Sequence, residues 1–341
     1  MNRGQLLASA AFLILAHLLA GFAGFFAPYH YATQDRLHPY APPAPLHFVD
    51  CQGRFHARPF VYGLKNKEGS FTEYERDCSV RAPLRVFVRG DEYVLFGVLH
   101  TTLHLFGVEA SQHINLLGTD GFGRDQLSRV LYGAQVSLFA GGLAGVLAVL
   151  AGLVVGTIAG FYGGLVDDVA MRTAELAIAV PSLYLLLAVR SFLPLQIGPI
   201  GAFLLVVSVI GLLSWSRPAR LVRGLVLSAR DRNFVLAARG FGASRFYLMR
   251  RHLMPLTFSV TLTQLALLIP QFILAEVVLS FLGLGVGEPF PSWGNMLAQA
   301  QQYHVLVSYW WMLLPGLAPV PMFLAYHALA EALQQRVGSN I

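Results

Sequence analysis

The run VLYGAQVSLFAGGLAGVLAVLAGLVVGTIAGFYGGLV, residues 130–166, carries no charged residue over 37 positions and is rich in Gly, Ala, Val and Leu. About 20 consecutive apolar residues cross a bilayer as a helix, so this stretch is long enough with positions to spare. Its apolar character is continuous rather than alternating, which argues against a membrane strand. Working outward from it, five further spans are expected. They cover residues 5–27, residues 174–193, residues 197–215, the segment from near Pro255 to Leu282, and residues 307–329. The 174–193 span has Glu175 and Arg190 near its ends and Pro181 inside. Interior Pro and Gly are tolerated in membrane helices where neighbouring helices satisfy the freed backbone groups.

Composition agrees with this reading. Of 341 residues, 55% are hydrophobic and 12% charged. Soluble domains carry about 25% charged residues, and six spans need roughly 120 apolar positions, which this chain can supply. The balance excludes a soluble enzyme, a disordered chain and a protein with a single anchor. The expected fold class is an all-α polytopic membrane protein with six transmembrane helices.

Charge sets the orientation. Between Arg217 and Arg251 lie nine arginines and one acid, Asp231, whereas Tyr29 to Arg124 holds ten basic and ten acidic residues. A basic cluster between two apolar spans reads as a cytoplasmic segment by the positive-inside rule. Counting spans from it places the Phe161–Arg172 connection and both termini inside, with Arg3 and Arg336 agreeing, and the long 28–129 segment outside. The apolar run at 5–27 exceeds the 7–15 residues typical of a signal-peptide core, so it reads as an uncleaved first span.

Catalytic motifs are missing. A P-loop needs Lys followed by Ser or Thr, and the only lysines are Lys65, before Asn66, and Lys67, before Glu68. Gly283-Leu-Gly285-Val-Gly287 has no strand–turn–helix context for a dinucleotide and reads as a helix end or loop turn. His100 and His104 stand at i, i+4 but lack a third placed ligand, so they read as a surface pair rather than a metal site. Asp167-Asp168 reads as a solvated loop, because adjacent helical residues do not face each other. No cofactor or metal is expected on this chain, and it is not expected to be an enzyme.

Residues 29–112 form an expected extracytoplasmic insert after the first span. Alternating stretches such as Leu84-Arg-Val-Phe-Val-Arg89 read as short strands, with Pro42-Pro43, Gly53, Gly69 and Gly90 at turns; a loosely ordered loop is the alternative. Cys51 and Cys78, the chain's two cysteines, both fall here. In an oxidising compartment they are a candidate bridge enclosing 26 intervening residues, and such a loop closure contributes roughly 3 kcal/mol. Two free thiols is the alternative. The remaining domain division is a first helix at 1–28 and a core at 113–341.

The most informative stretch is Asn233-Phe-Val-Leu-Ala-Ala-Arg-Gly-Phe-Gly-Ala-Ser-Arg-Phe-Tyr-Leu-Met-Arg-Arg-His-Leu-Met-Pro255. Asn233 is a candidate cap for a short helix through Arg239, Gly240 and Gly242 permit a turn, and Ser244 is a candidate cap for a second helix. Ala237 and Ala238 are small enough for another surface to approach closely. Spacing alone leaves an ordinary basic loop equally open.

This stretch resembles the EAA loop of ABC-importer permeases: E-A-A, three residues, G, nine residues, I-x-L-P. Ala237, Ala238, Gly242 and Pro255 fall on the pattern, His252 stands at the Ile position and Met254 at the Leu position, and Leu236 replaces the initial Glu. Further segments resemble, in order, the dipeptide/oligopeptide (DppC/OppC-like) branch. They are Gly118-Thr-Asp-Gly-Phe-Gly-Arg-Asp125 with Ser128-Arg129 and Tyr132-Gly133; Phe161-Tyr-Gly-Gly164; Pro181-Ser182; Ala275-Glu-Val-Val-Leu-Ser-Phe-Leu-Gly-Leu-Gly285; and Pro291-Ser-Trp-Gly-Asn-Met296.

The resemblance implies an ABC-importer permease fold in the bacterial inner membrane. It also implies a second homologous permease subunit, two cytoplasmic ATPase subunits carrying ATP and Mg, and an extracytoplasmic solute-binding protein. The cytoplasmic EAA-like loop would be residues 217–255, with Leu236, Ala237, Ala238, Arg239, Gly242 and Arg245 as ATPase-coupling residues. Peptides are the implied cargo, with nickel chelates or another small solute as the alternative within the class and an ion-coupled secondary transporter as the alternative outside it. Glu276, an acid in or near the fifth span, is a candidate for a pathway or a structural intramembrane charge.

Overall fold

The computed structural model describes residues 3–67, 69, 72–109, 112–181, 184, 185, 187, 188 and 198–338. Among the described residues five helices are long and apolar enough to cross a membrane: Gly4–Gly21, Gln126–Tyr162, Phe203–Ala229, Arg245–Phe281 and Trp310–Gln335. Of the expected third span only the first part lies in a described helix, Gly164–Ala179; Ser182, Arg190 and the rest of its second half fall wholly or mostly outside the described residues. The count of six therefore stays an expectation, and the five helices are those of the described residues.

Elements are labelled in chain order. The first helices are α1 (Arg3–Gly21) and α2 (Ala23–Phe26), and five strands follow: β1 (His47–Val49), β2 (Phe55–Asn66), β3 (Tyr74–Pro83), β4 (Arg85–Leu95) and β5 (Leu99–Gly107). Next come α3 (Gln126–Tyr162), α4 (Gly164–Ala179), α5 (Pro199–Leu213), α6 (Ser216–Ala229) and α7 (Asn233–Gly240). Helix α8 runs Arg245–Phe281 and contains a π turn at Leu248–Leu253. The chain divides into two compact units, one of Met1–Ile14, Phe139–Glu276 and Val320–Ile341, the other of Leu15–Leu138 and Val277–Pro319.

The first unit is helical, and glycine decides its packing. Helix α3 has 37 residues, about 55 Å at 1.5 Å per residue, against a hydrocarbon core of about 30 Å. Gly152, Gly156 and Gly160 recur every fourth position, on one face. A Cβ on Gly152 would lie 2.6 Å from Pro218 Cβ, one on Gly160 would lie 2.8 Å from the Arg223 carbonyl, and one on Gly156 would overlap the Ala219 carbonyl. The α6 backbone thus rests directly on α3, the close approach that small residues allow between membrane helices. Toward the other end of α3, a Cβ on Gly145 would meet Ile269 of α8 at 3.0 Å.

The basic segment beginning at Arg217 is not a loop. Pro218, Ala219, Val222, Val226 and Ala229 are buried, a helical stripe that binds α6 to α3 and leaves Arg217 and Arg220 exposed on the other face. Asp167 also departs from the sequence reading. It lies buried in the first turn of α4, where Arg223 Nε donates to its Oδ1 at 2.7 Å and Nη2 to Oδ2.

The second unit contains the insert. Its strands form an antiparallel sheet in the order β1-β2-β3 and a separate antiparallel hairpin β4-β5. Val61, Ala82 and Ile114 form its small core, and a disulfide joins Cys51 to Cys78. His100 and His104 lie on strand β5 rather than on a helix. His104 is fully buried, with its ring nitrogens 2.6 Å from the Ala27 carbonyl oxygen and 2.9 Å from that of Asp91, so only His100 is a surface residue. No group of three metal-ligating side chains occurs among the described residues.

The α3–α6 contact predicts a position-specific response. Gly156→Leu should destabilise the protein by about 1–3 kcal/mol or more through overpacking. Gly142→Leu, where a Cβ meets nothing within 4 Å, should be near neutral. Thermal unfolding in detergent compares them, and equal losses would show that the close approach carries no weight.

Candidate functional site: the face of α7 and its turn

Helix α7 is short, eight residues, and is held from beneath. Val235 is fully buried against Phe161, Val222, Val226, Ala229, Leu248 and Leu253, and Ala238 and Ala243 pack on the same cluster. Asn233 is the first helical residue rather than a cap, and no side chain caps this end. The other end closes as the sequence suggests. The Gly242 N–H donates to the Arg239 carbonyl at 3.0 Å and the Ala243 N–H to the Ala238 carbonyl at 3.1 Å. That paired closure places Gly242 in the left-handed region, at φ +83°. Ser244 then caps α8, its Oγ accepting from the Tyr247 N–H at 3.2 Å.

The Phe161-Tyr-Gly-Gly164 segment completes the base. Gly163 and Gly164, both at positive φ, end α3 and start α4. The Arg239 guanidinium stands 6.0 Å from the Phe161 ring centre and that of Arg245 5.7 Å from the Tyr162 ring centre, cation–π distances that lay both side chains over α3. Arg230 Nη1 donates to the Gly160 carbonyl at 3.1 Å. The Arg223 hydrogen bond holds the Asp167 carboxyl below its ordinary range.

What remains outward is apolar with a cationic rim. Phe241 is 93% exposed and Phe246 68%, with Phe234, Leu236, Ala237 and Tyr247 also exposed beside Arg239 and Arg245. So many exposed large apolar side chains on one short segment suit an interaction surface. Of the residues singled out in sequence, Leu236, Ala237, Arg239, Gly242 and Arg245 are presented together. Ala238 is not: it faces the core. Glu276 is buried within α8 and belongs to no part of this patch. In the same unit a cavity of about 310 Å³ opens among α4, α5, α6 and α8, with Arg217, Gln271, Ser214 and Ser216 among its lining groups.

The second unit holds an ionic cluster that sequence reading missed. Arg124 Nε donates to Asp120 Oδ2 at 2.7 Å and its Nη1 to Glu288 Oε2 at 2.6 Å, while Arg129 Nη2 donates to Glu288 Oε1 at 2.9 Å. Burial acts to raise the Glu288 carboxyl, but the hydrogen bond from Arg124 and the two guanidinium charges outweigh it and hold the group below its ordinary value. Two cations and two anions balance, with Arg129 and Asp120 fully buried. The available signal was isolation, since Glu288 is the only acid between Glu276 and Glu331. Glu288→Gln should therefore destabilise by about 2–4 kcal/mol, because it leaves buried cationic charge uncompensated. With Arg129→Met added, the loss should be smaller than the sum of the two single losses, as a double-mutant cycle in thermal unfolding would show; strict additivity would deny the coupling.

Comparison with known proteins gives these features a context. The chain is 38% identical over 226 residues, 66% of itself and 68% of the relative, to the dipeptide transport system permease protein DppC of Bacillus subtilis. It is 36% identical over 226 residues, 66% of itself and 71% of the relative, to the oligopeptide transport system permease protein OppC of the same organism. A crystal structure of an amino acid ABC transporter with histidines is similar over 61% of this chain and 94% of that one, at 21% identity and a TM-score of 0.45. The family described as binding-protein-dependent transport system inner membrane component matches residues 152–339, more than half of the chain and all of the α6–α7–α8 segment. With its apolar helices and that match, the chain belongs to the family of inner membrane components of binding-protein-dependent transport systems.

Proposed function

We propose that this chain is the permease subunit of an ATP-driven importer of di- or oligopeptides, forming half of the translocation pathway. In this reading it pairs with a second homologous permease. It receives solute from an extracytoplasmic binding protein and couples to two cytoplasmic ATPase subunits, which carry the ATP and Mg. The observation that carries the reading is the exposed apolar and cationic face of α7 and its turn, fixed from beneath by buried Val235 and the Gly242 turn. That surface lies on the most basic segment of the chain, which the positive-inside rule assigns to the cytoplasm. The peptide cargo follows the names of the relatives, and a cavity lined by Arg217 and Gln271 suits a solute bearing a carboxylate. Both termini lie in the cytoplasm and the 29–112 insert outside.

The docking role is tested on the assembled transporter. Ala237→Asp and Phe241→Asp should abolish co-purification of the ATPase subunits and uptake of a labelled dipeptide, with membrane insertion and thermal stability retained. Ala238→Asp should instead lower stability, because its side chain packs on the core. Retained ATPase association in the Ala237 and Phe241 variants would refute the docking face. Orientation has its own measurement. A membrane-impermeant thiol reagent applied to intact cells should label Gln52→Cys and spare Ser244→Cys; labelling of Ser244→Cys would reverse the topology.

A further inference from the structure

Hairpin β4–β5 presents bulky apolar side chains where its backbone least favours them. The turn closes through the Val98 N–H, which donates to the Leu95 carbonyl, with Phe96 at φ 51° and Gly97 at φ +73°. Positive φ at both central positions is the turn that Asn-Gly or Gly-Gly adopts most easily, and a phenylalanine in the left-handed region is disfavoured. Phe87 repeats the pattern at φ 54°. Both rings are largely exposed, as are Val98 at 80% and Leu99 at 60%. Local backbone chemistry does not account for two left-handed, exposed phenylalanines; a surrounding that rewards their side chains does.

Their neighbours identify that surrounding. The Phe96 ring meets Phe22 edge-on at 5.1 Å, and Phe87 lies 6.4 Å from Phe25. Phe22 directly follows the apolar stretch Gly4–Gly21, and it continues a stripe of exposed Leu15 and Leu18 at helical spacing. The tip of the hairpin therefore stands against the residue that follows the C-terminal end of α1, and residues 93–99 carry no charge.

We propose that the β4–β5 hairpin is a membrane-interface anchor, with Phe87, Phe96, Val98 and Leu99 seated among phospholipid chains in the leaflet at the C-terminal end of α1. The proposal rests on the reading of α1 as a span. The test places a nitroxide label at Val98→Cys, Gln52→Cys and Leu15→Cys in turn, with the Cys51–Cys78 bridge kept. The full chain is reconstituted in phosphatidylethanolamine–phosphatidylglycerol vesicles, and collision rates with oxygen and with a water-soluble nickel chelate are measured. Residue 98 should report a depth of about 5–10 Å into the interface, residue 15 a greater depth, and residue 52 water. Adding Phe96→Asn, which suits the turn, should shift the residue 98 label toward water while the fold persists. Water at residue 98 with lipid at residue 15 overturns the anchor alone; water at both overturns the span as well. A residue 98 label shielded from oxygen and nickel alike shows a protein cover and overturns the lipid assignment.

Discussion

The close approach of α3 and α6 governs the helical unit. With glycine at positions 152, 156 and 160, the backbone of α6 lies where side chains would otherwise stand. Membrane helices gain nothing from excluding lipid in favour of another apolar surface, so their association depends on contact density and on polar bonds between them. The glycine face supplies the first, and the Arg223–Asp167 and Arg230–Gly160 bonds supply the second. Because α6 is fixed at its far end by these bonds, the chain enters α7 from a defined point.

That fixed point gives α7 its mechanical character. Eight residues are too few for a stable isolated helix, and here the underside is locked into a core shared by α3, α6 and the start of α8. A displacement applied to its outer face passes into three helices at once, since packed interiors shift as bodies rather than deform continuously. Helix α8 continues, through its π turn, from the rim of the patch to Phe281, so on the proposed reading one element carries both the docking rim and part of the membrane domain.

Apart from Asn233, which lies one position inside α7 instead of capping it, local signals in the sequence were readable, and long-range ones were not. Gly242 and Ser244 announced their turn and cap because both motifs are closed by backbone groups within five residues. The apolar runs likewise located the five long apolar helices found among the described residues. The inward face of Ala238, the burial of Asp167 and the Glu288 cluster all depend on partners far along the chain, such as Arg223 for Asp167 and Arg124 for Glu288. Charge spacing alone cannot show which acid meets which arginine. The loop reading of residues 217–229 failed for another reason: arginines dominated the count, while the apolar positions between them have the helical period that buries α6. Positive-inside charge and helical packing coexist on opposite faces of one element.

Leu236 shows what this surface asks of a partner. An acid at that position would offer a charge for pairing, whereas a leucine, 45% exposed beside Phe234 and Phe241, offers area. Exposed ion pairs contribute little and weaken with salt, while buried apolar area contributes about 25 cal/mol per Å² with little salt dependence. The arginines that remain, Arg239 and Arg245, are already committed to the Phe161 and Tyr162 rings, which restrains them at the rim rather than at the centre. On the proposed docking reading, the chemistry of the face is an apolar centre with an oriented cationic edge, and its complement would be an apolar groove bordered by acids.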